Sequence, residues 1–153
     1  MKAATKRAKA KTKSAMVKPG KKALADLGKV YDALCAILMP YEKKLKRKDY
    51  GKDFYYLETH DKVYRDKPMC CGGVRLGKNY VSYYLMTVYA SPELLKGMSP
   101  ELKKRMQGKA CFNFTSVDPK LFAELETLTR VGFERFAKMD WKKFEENLKN
   151  AKR

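Results

Sequence analysis

Four cysteines and a single histidine are the residues of this chain with the widest chemistry open to them. A zinc site needs several thiolates or imidazoles converging on one point. Cys70 and Cys71 are adjacent, so in an extended segment they face opposite ways. His60 lies in a turn-like stretch far along the chain from Cys111, and no Cys-x-x-Cys occurs. The pattern therefore predicts no metal and no cofactor, and it reads the cysteines as small buried hydrophobes. Cys111 as a nucleophile is the remaining thiol chemistry. Lys109, two residues away on the same strand face, would lower its pKa, but the sequence places no base beside it.

A second group is polar and aromatic. Tyr80, Ser82 and Tyr84 alternate along one segment, and Lys109, Cys111 and Asn113 alternate along another, so the six can share one face of a sheet. A tyrosine wall with a few polar tips fits a small-molecule pocket. It fits a half-exposed sheet face as well. In the pocket reading Lys109 favours an anionic ligand, Asn113 orients it, and the Gly72-Gly73 backbone lets it approach closely.

The elements that must position these residues are legible from periodicity and punctuation. Leu24, Leu27, Tyr31, Leu34, Leu38, Tyr41 and Leu45 step by three and four, which is one stripe of an amphipathic helix. Pro40 inside the stripe predicts a break at Met39 and a short second helix starting at Pro40. Residues 53–89 hold seven of the ten tyrosines and predict strands near 53–58, 62–66, 69–76 and 79–88, the last in the middle of the sheet. Ser91-Pro92-Glu93 and Ser99-Pro100-Glu101 each read as a capped helix start, the second helix running to about Met106 before Gly108 stops it. Ala110, Phe112 and Phe114 then form the apolar face of a strand. Asp118-Pro119 opens a helix with Leu121, Phe122, Leu125, Leu128 and Phe136 on its apolar side and Gly132 placed for close packing, and Asp140 caps a last one carrying Trp141, Phe144 and Leu148. The sum is an α+β domain over 23–150, an antiparallel or mixed sheet of about five strands packed against N- and C-terminal helices.

The stretches YVSYYL (80–85), PELL, SPELKKRMQGKACFNF and the helix after Asp118-Pro119 together resemble the YdhG-like domain family over roughly residues 24–138. The resemblance implies a small cytosolic α+β protein with a fold similar to frataxin and to YjbR-like proteins. It carries fold more firmly than activity. Frataxins bind iron through an acidic ridge on the first helix, whereas this first helix offers Asp26, Asp32 and Glu42 among many lysines.

Charge narrows the partners. Of the net +18, half comes from residues 1–22, which hold nine Lys or Arg and no acid. That segment, with Lys6, Arg7, Lys9, Lys11 and Lys13, reads as a disordered tail. Lys43, Lys44, Lys46, Arg47 and Lys48 form a second basic run, read here as a solvated face after the first helix. Both suit non-specific binding to nucleic acid or another polyanion, and surface tyrosines suit stacking on single-stranded bases; a purely solubilising tail fits too. No run is long and apolar enough for a membrane span, so no membrane partner is expected, and the free cysteines suit a reducing, cytoplasmic setting. An exposed sheet edge leaves monomer and dimer both open. The resulting expectation is a non-enzymatic binding module holding a small anionic ligand or partner on its tyrosine-rich face, with an iron or metal chaperone as the alternative and a thiol-dependent enzyme as the third reading.

Overall fold

The computed structural model describes residues 21–49 and 51–152. Helix α1 spans Lys21–Leu38 and is followed by a 3-10 turn at Met39–Lys43 with Pro40 in its first turn, as the interrupted stripe requires. Leu27, Val30, Leu34 and Leu38 are buried along α1. Six strands follow in one antiparallel sheet: β1 (Lys46–Asp49), β2 (Phe54–Glu58), β3 (Cys70–Leu76), β4 (Val81–Leu85), β5 (Met106–Gln107) and β6 (Cys111–Phe114). Their spatial order is β1-β2-β3-β4-β6-β5. Between β4 and β5 lie a short helix α2 (Met86–Ala90), a 3-10 segment at Pro92–Gly97 and one turn of helix α3 (Pro100–Lys103). Helices α4 (Pro119–Ala137) and α5 (Trp141–Ala151) complete the chain.

All the large packing is on one side of the sheet. α1 lies on β3 and β4 and also touches α4. Tyr55, Leu57, Val74, Val81, Tyr83, Leu85, Phe112 and Phe114 are all at most 2% exposed and alternate along their strands toward this helix layer. The Tyr83 hydroxyl is satisfied there by Thr129 of α4 at 2.6 Å, a partner a buried phenol needs. α4 starts where Asp118 accepts the Leu121 N–H at 3.1 Å, with Pro119 in the first turn, and α5 starts where Asp140 accepts from Lys143 N–H at 3.1 Å. Both caps are the ones the sequence signals.

Several expectations are corrected. Residues 62–66 form no strand. They make a tight turn closed by a Tyr64–Lys67 bridge, with Arg65 and Asp66 at φ of 50° and 56°, because five of the residues from 61 to 67 are charged and exposed and nothing alternates there to bury. The basic run stays mostly solvent-exposed, but its second half is not a loop: Lys46–Asp49 is edge strand β1, paired to β2 with Lys46 opposite Glu58. Lysine on an edge strand hinders unwanted pairing with other chains. β4 ends at Leu85 and the chain turns into α2, since Thr87 and Val88 are needed against the helix layer, where both are buried. Ser99 caps α3 by accepting from Leu102 N–H at 3.2 Å, but Ser91 makes no side-chain cap. α3 ends at Lys103, and Gly108, at φ 77°, turns β5 into β6 instead of stopping a helix. Left-handed backbone of this kind is glycine's province. Among the described residues, no helix is long and apolar enough to cross a membrane.

Candidate functional site on the open sheet face

With the helices on one side, the opposite face of the sheet is left uncovered. Antiparallel partners share a face, so the register assigns its occupants: Lys48, Tyr56, Gly73, Tyr84, Cys111 and Gln107 in one row across the strands, and Phe54, Arg75, Ser82 and Asn113 in the next. Ser82, Tyr84, Cys111 and Asn113 are thus brought together as the sequence predicts. Tyr80, 43% exposed, joins them from the β3–β4 turn.

The polar groups of β4 and β6 are tied to one another. The Ser82 hydroxyl donates to Asn113 Oδ1 at 2.8 Å, the Asn113 amide donates to Gln107 Oε1 at 2.6 Å, and the Cys111 thiol donates to Asn113 Oδ1 at 3.5 Å. Asn113 is therefore a cross-strand tie within the sheet. Lys109 is exposed in the β5–β6 turn.

The two glycines part company. A side chain at Gly72 would meet Leu38 and Phe133 of the helix layer at 3.2 and 3.5 Å, whereas one at Gly73 would meet Tyr56 Cβ at 2.7 Å and the Tyr55 carbonyl at 3.0 Å. Both are buried. Their lack of a side chain admits the protein's own residues. A bulge breaks the register here: Gly72 stands opposite Leu57 and Cys70 opposite Glu58, which leaves Cys71 as the extra residue. Over Gly73 the rings of Phe54 and Tyr56 sit 5.7 Å apart and those of Phe54 and Tyr84 6.2 Å apart, an aromatic strip across three strands.

Beside this strip lies an open concavity of about 760 Å3 lined by Asp53, Arg75, Lys78, Asn79, Tyr80, Ser82 and Tyr84 together with the Leu76–Gly77 backbone. Three of the expected residues line it, Tyr80, Ser82 and Tyr84. Its cations are Arg75 and Lys78, which the sequence reading passed over. Arg75 was legible, because it stands two residues after Gly73 in β3 and so shares its face. Neither cation has an ion pair among the described residues.

The basic run contributes less than its composition suggests. Arg47 pairs with Glu42 at 3.1 Å and with Asp49 at 3.0 Å, and its guanidinium lies 4.8 Å from the centre of the Tyr55 ring. The Asp49 bond holds Arg47 in its charged form. Lys43, Lys44 and Lys46 are exposed and Lys48 is half-buried. Lys6, Arg7, Lys9, Lys11 and Lys13 lie outside the described residues.

Thiol chemistry finds no support in the electrostatics. Burial pushes the thiols of Cys35 and Cys70 up to about 11 and that of Cys71 to about 12. Burial also raises Cys111, an effect the Ser82 hydroxyl partly offsets. Nucleophilic cysteines require the opposite shift. A pH prediction follows with its sign fixed. The folded chain holds these protons more tightly than the unfolded chain, so the stability they confer is whole below about pH 9 and is lost as pH rises through 11–12. Urea midpoints should fall between pH 9 and 11, and the fall should shrink when Cys35 and Cys71 are replaced by alanine; an unchanged pH profile in that variant counts against it. Among the described residues, no three of His, Cys, Asp and Glu gather into a group able to hold a metal ion.

Comparison with known proteins yields no match to any family model, curated protein or solved structure.

Proposed function

We propose that the chain is a YdhG-like, non-enzymatic binding module whose open sheet face takes a small anionic ligand carrying a flat ring. The observation that carries this reading is the concavity in which two cations without an ion pair, Arg75 and Lys78, stand beside the exposed ring of Tyr80 and the half-buried ring of Tyr84. An anionic group is drawn to the cations, a ring stacks on the tyrosines, and Asp53 accepts hydrogen bonds from its edge. A fully open site of this kind gives modest affinity. The basic N-terminal segment acts as a separate anchor for polyanions such as nucleic acid, with affinity that falls steeply with salt.

Calorimetric titration with adenosine monophosphate, adenosine and inorganic phosphate tests the ligand reading. The nucleotide is expected to bind at least about tenfold more tightly than either fragment, and Arg75→Glu to weaken it by about tenfold or more, because the substitution exchanges an attraction for a repulsion. Equal binding by the variant, or binding that phosphate alone reproduces, overturns the proposal. Arg75 is exposed and unpaired, so its replacement leaves the fold intact.

A further inference from the structure

On the helix side of the sheet, independent of the open face, a cavity of about 280 Å3 opens between the end of α4, the start of α5 and the loop after β2. Its body is aromatic, walled by Tyr41, Phe133, Phe136 and Trp141. Tyr41 meets Phe133 edge-on at 4.5 Å between ring centres, and Phe136 meets Trp141 edge-on at 4.5 Å. The Cys71 thiol completes the wall, and its proton is held up to about pH 12 by burial, so this surface carries no charge.

The roof of the cavity is built from two segments that fasten to each other. Tyr64 in the loop packs 6.5 Å from Trp141 and 6.0 Å from Phe144 of α5. The Arg65 backbone N–H donates to Glu145 Oε1 at 2.7 Å. α5 buries no residue fully, so these contacts with the loop are a main part of what holds it in place.

The mouth has a different chemistry from the body. Lys44, from the 3-10 end of the first helical segment, and His60 and Asp61, from the loop after β2, are the exposed polar residues that line it. Neither Lys44 nor Asp61 has an ion pair among the described residues, and the two do not pair with each other. The neighbouring Thr59 hydroxyl is already committed, donating to the Asp61 carbonyl at 2.8 Å and accepting from Met69 N–H at 2.9 Å. What faces an entering molecule is thus an apolar, aromatic-walled hole whose exposed rim carries a lysine and an aspartate that are not paired with each other, with His60 beside them.

From this juxtaposition we infer that the cavity is a binding site for a small zwitterion with an apolar side chain, of the class of the aromatic and large aliphatic α-amino acids. The side chain fills the ring-walled body, the carboxylate faces Lys44 and the ammonium faces Asp61. A lone carboxylate gains from Lys44 and is opposed by Asp61, and a lone amine meets the reverse. Only a molecule carrying both charges is favoured by both. The volume of about 280 Å3 is near the lower end of the range of about 300–1,000 Å3 usual for ligand pockets, which suits a single ring.

Trp141 is the only tryptophan of the chain, and it lines this cavity and not the open face, so its fluorescence reports on this site alone. The full chain is titrated with L-phenylalanine, with 3-phenylpropionate, which lacks the amine, and with 2-phenylethylamine, which lacks the carboxylate. Phenylalanine is expected to give a saturable change in Trp141 emission, with each analogue at least about tenfold weaker, as loss of a charge-assisted contact implies. Lys44→Ala should bring phenylalanine down to the level of the amine, and Asp61→Asn should bring it down to the level of the acid. Both positions are exposed, so both variants fold. Ala137→Leu, at an exposed position on the cavity's edge, should weaken all three compounds together. No saturable response to phenylalanine, an analogue that binds as tightly as phenylalanine, or rim variants that leave the three affinities in their original order would overturn the assignment.

Discussion

Phe114→Ala is expected to destabilise the protein by about 3–5 kcal/mol, whereas Cys111→Ala, three residues earlier in the same strand, is expected to cost about 1 kcal/mol or less. The contrast follows from the two faces of β6. Phe114 is 1% exposed, stands opposite Val81 across the β4–β6 pair, and meets Phe122 of α4 edge-on at 5.0 Å. Its removal leaves a cavity where sheet and helix meet, and neither the strand nor a 19-residue helix can move in to fill it. Cys111 is on the open face, half-buried, with a weak thiol contact to Asn113. Chemical denaturation of both variants gives the two numbers directly, and similar losses at the two positions would contradict the one-sided helix layer.

Gly132→Ala is expected to destabilise by about 1–2 kcal/mol even though alanine is the better helix former by about 1 kcal/mol. A side chain at Gly132 would overlap the Thr87 hydroxyl and come within 3.1 Å of Thr87 Cβ, and overpacking of this kind costs about 1–3 kcal/mol before the propensity gain is counted. Thr87 has no room to yield, because it is 1% exposed in α2. Its hydroxyl is also buried without a hydrogen-bond partner, so the contact has a group on each side that is sensitive to change. Placed in a Thr87→Ala background, where the obstacle is gone, the same Gly132→Ala substitution should become neutral or stabilising by up to about 1 kcal/mol. A double-mutant cycle by urea denaturation reads the sign reversal, and additive effects would mean that α2 and α4 are not packed through this pair.

These two cases also show which parts of the molecule were written plainly in the sequence. The alternation of Phe112 and Phe114 with Cys111 and Asn113 has only one reading once one face is apolar, and a register slip would put both rings in water. The interrupted stripe with Pro40, and the two aspartate caps, are local chemistry and hold without tertiary help. Gly132 was legible as a place of close packing, but its partner Thr87 was not, because Thr87 belongs to a segment whose β-branched residues suggest strand while tertiary contacts make it helix. β1 escaped notice because edge strands need no apolar period, and KRKD has none. β5 is only two residues long.

The site divides in the same way. Tyr80, Ser82 and Tyr84 follow from period two and were found. The pair Gly72 and Gly73 signals close approach without saying what approaches, and here the approaching groups include Leu38, Phe133 and Tyr56. Asn113, expected to orient a ligand, also ties the strands, and only the register reveals Ser82 and Gln107 as its partners. Arg75 was open to the same period-two reading, since it stands two residues after Gly73 between the apolar Val74 and Leu76, but the residues before them, Cys70 to Gly73, show no alternation in polarity, which weakens the signal. The aromatic cavity was beyond reach of pattern reading, because Lys44, Asp61, Phe133 and Trp141 come from four separate segments.

The most direct test of the open face as the ligand surface is a two-dimensional amide NMR titration of the full chain with adenosine monophosphate. The account predicts shifts concentrated at Arg75, Ser82, Tyr84 and the Gly77–Tyr80 turn, with the buried positions of α1 and α4, such as Leu34 and Leu125, unmoved. Shifts confined to the helix side, or scattered along the lysines with no cluster in that concavity, would contradict it.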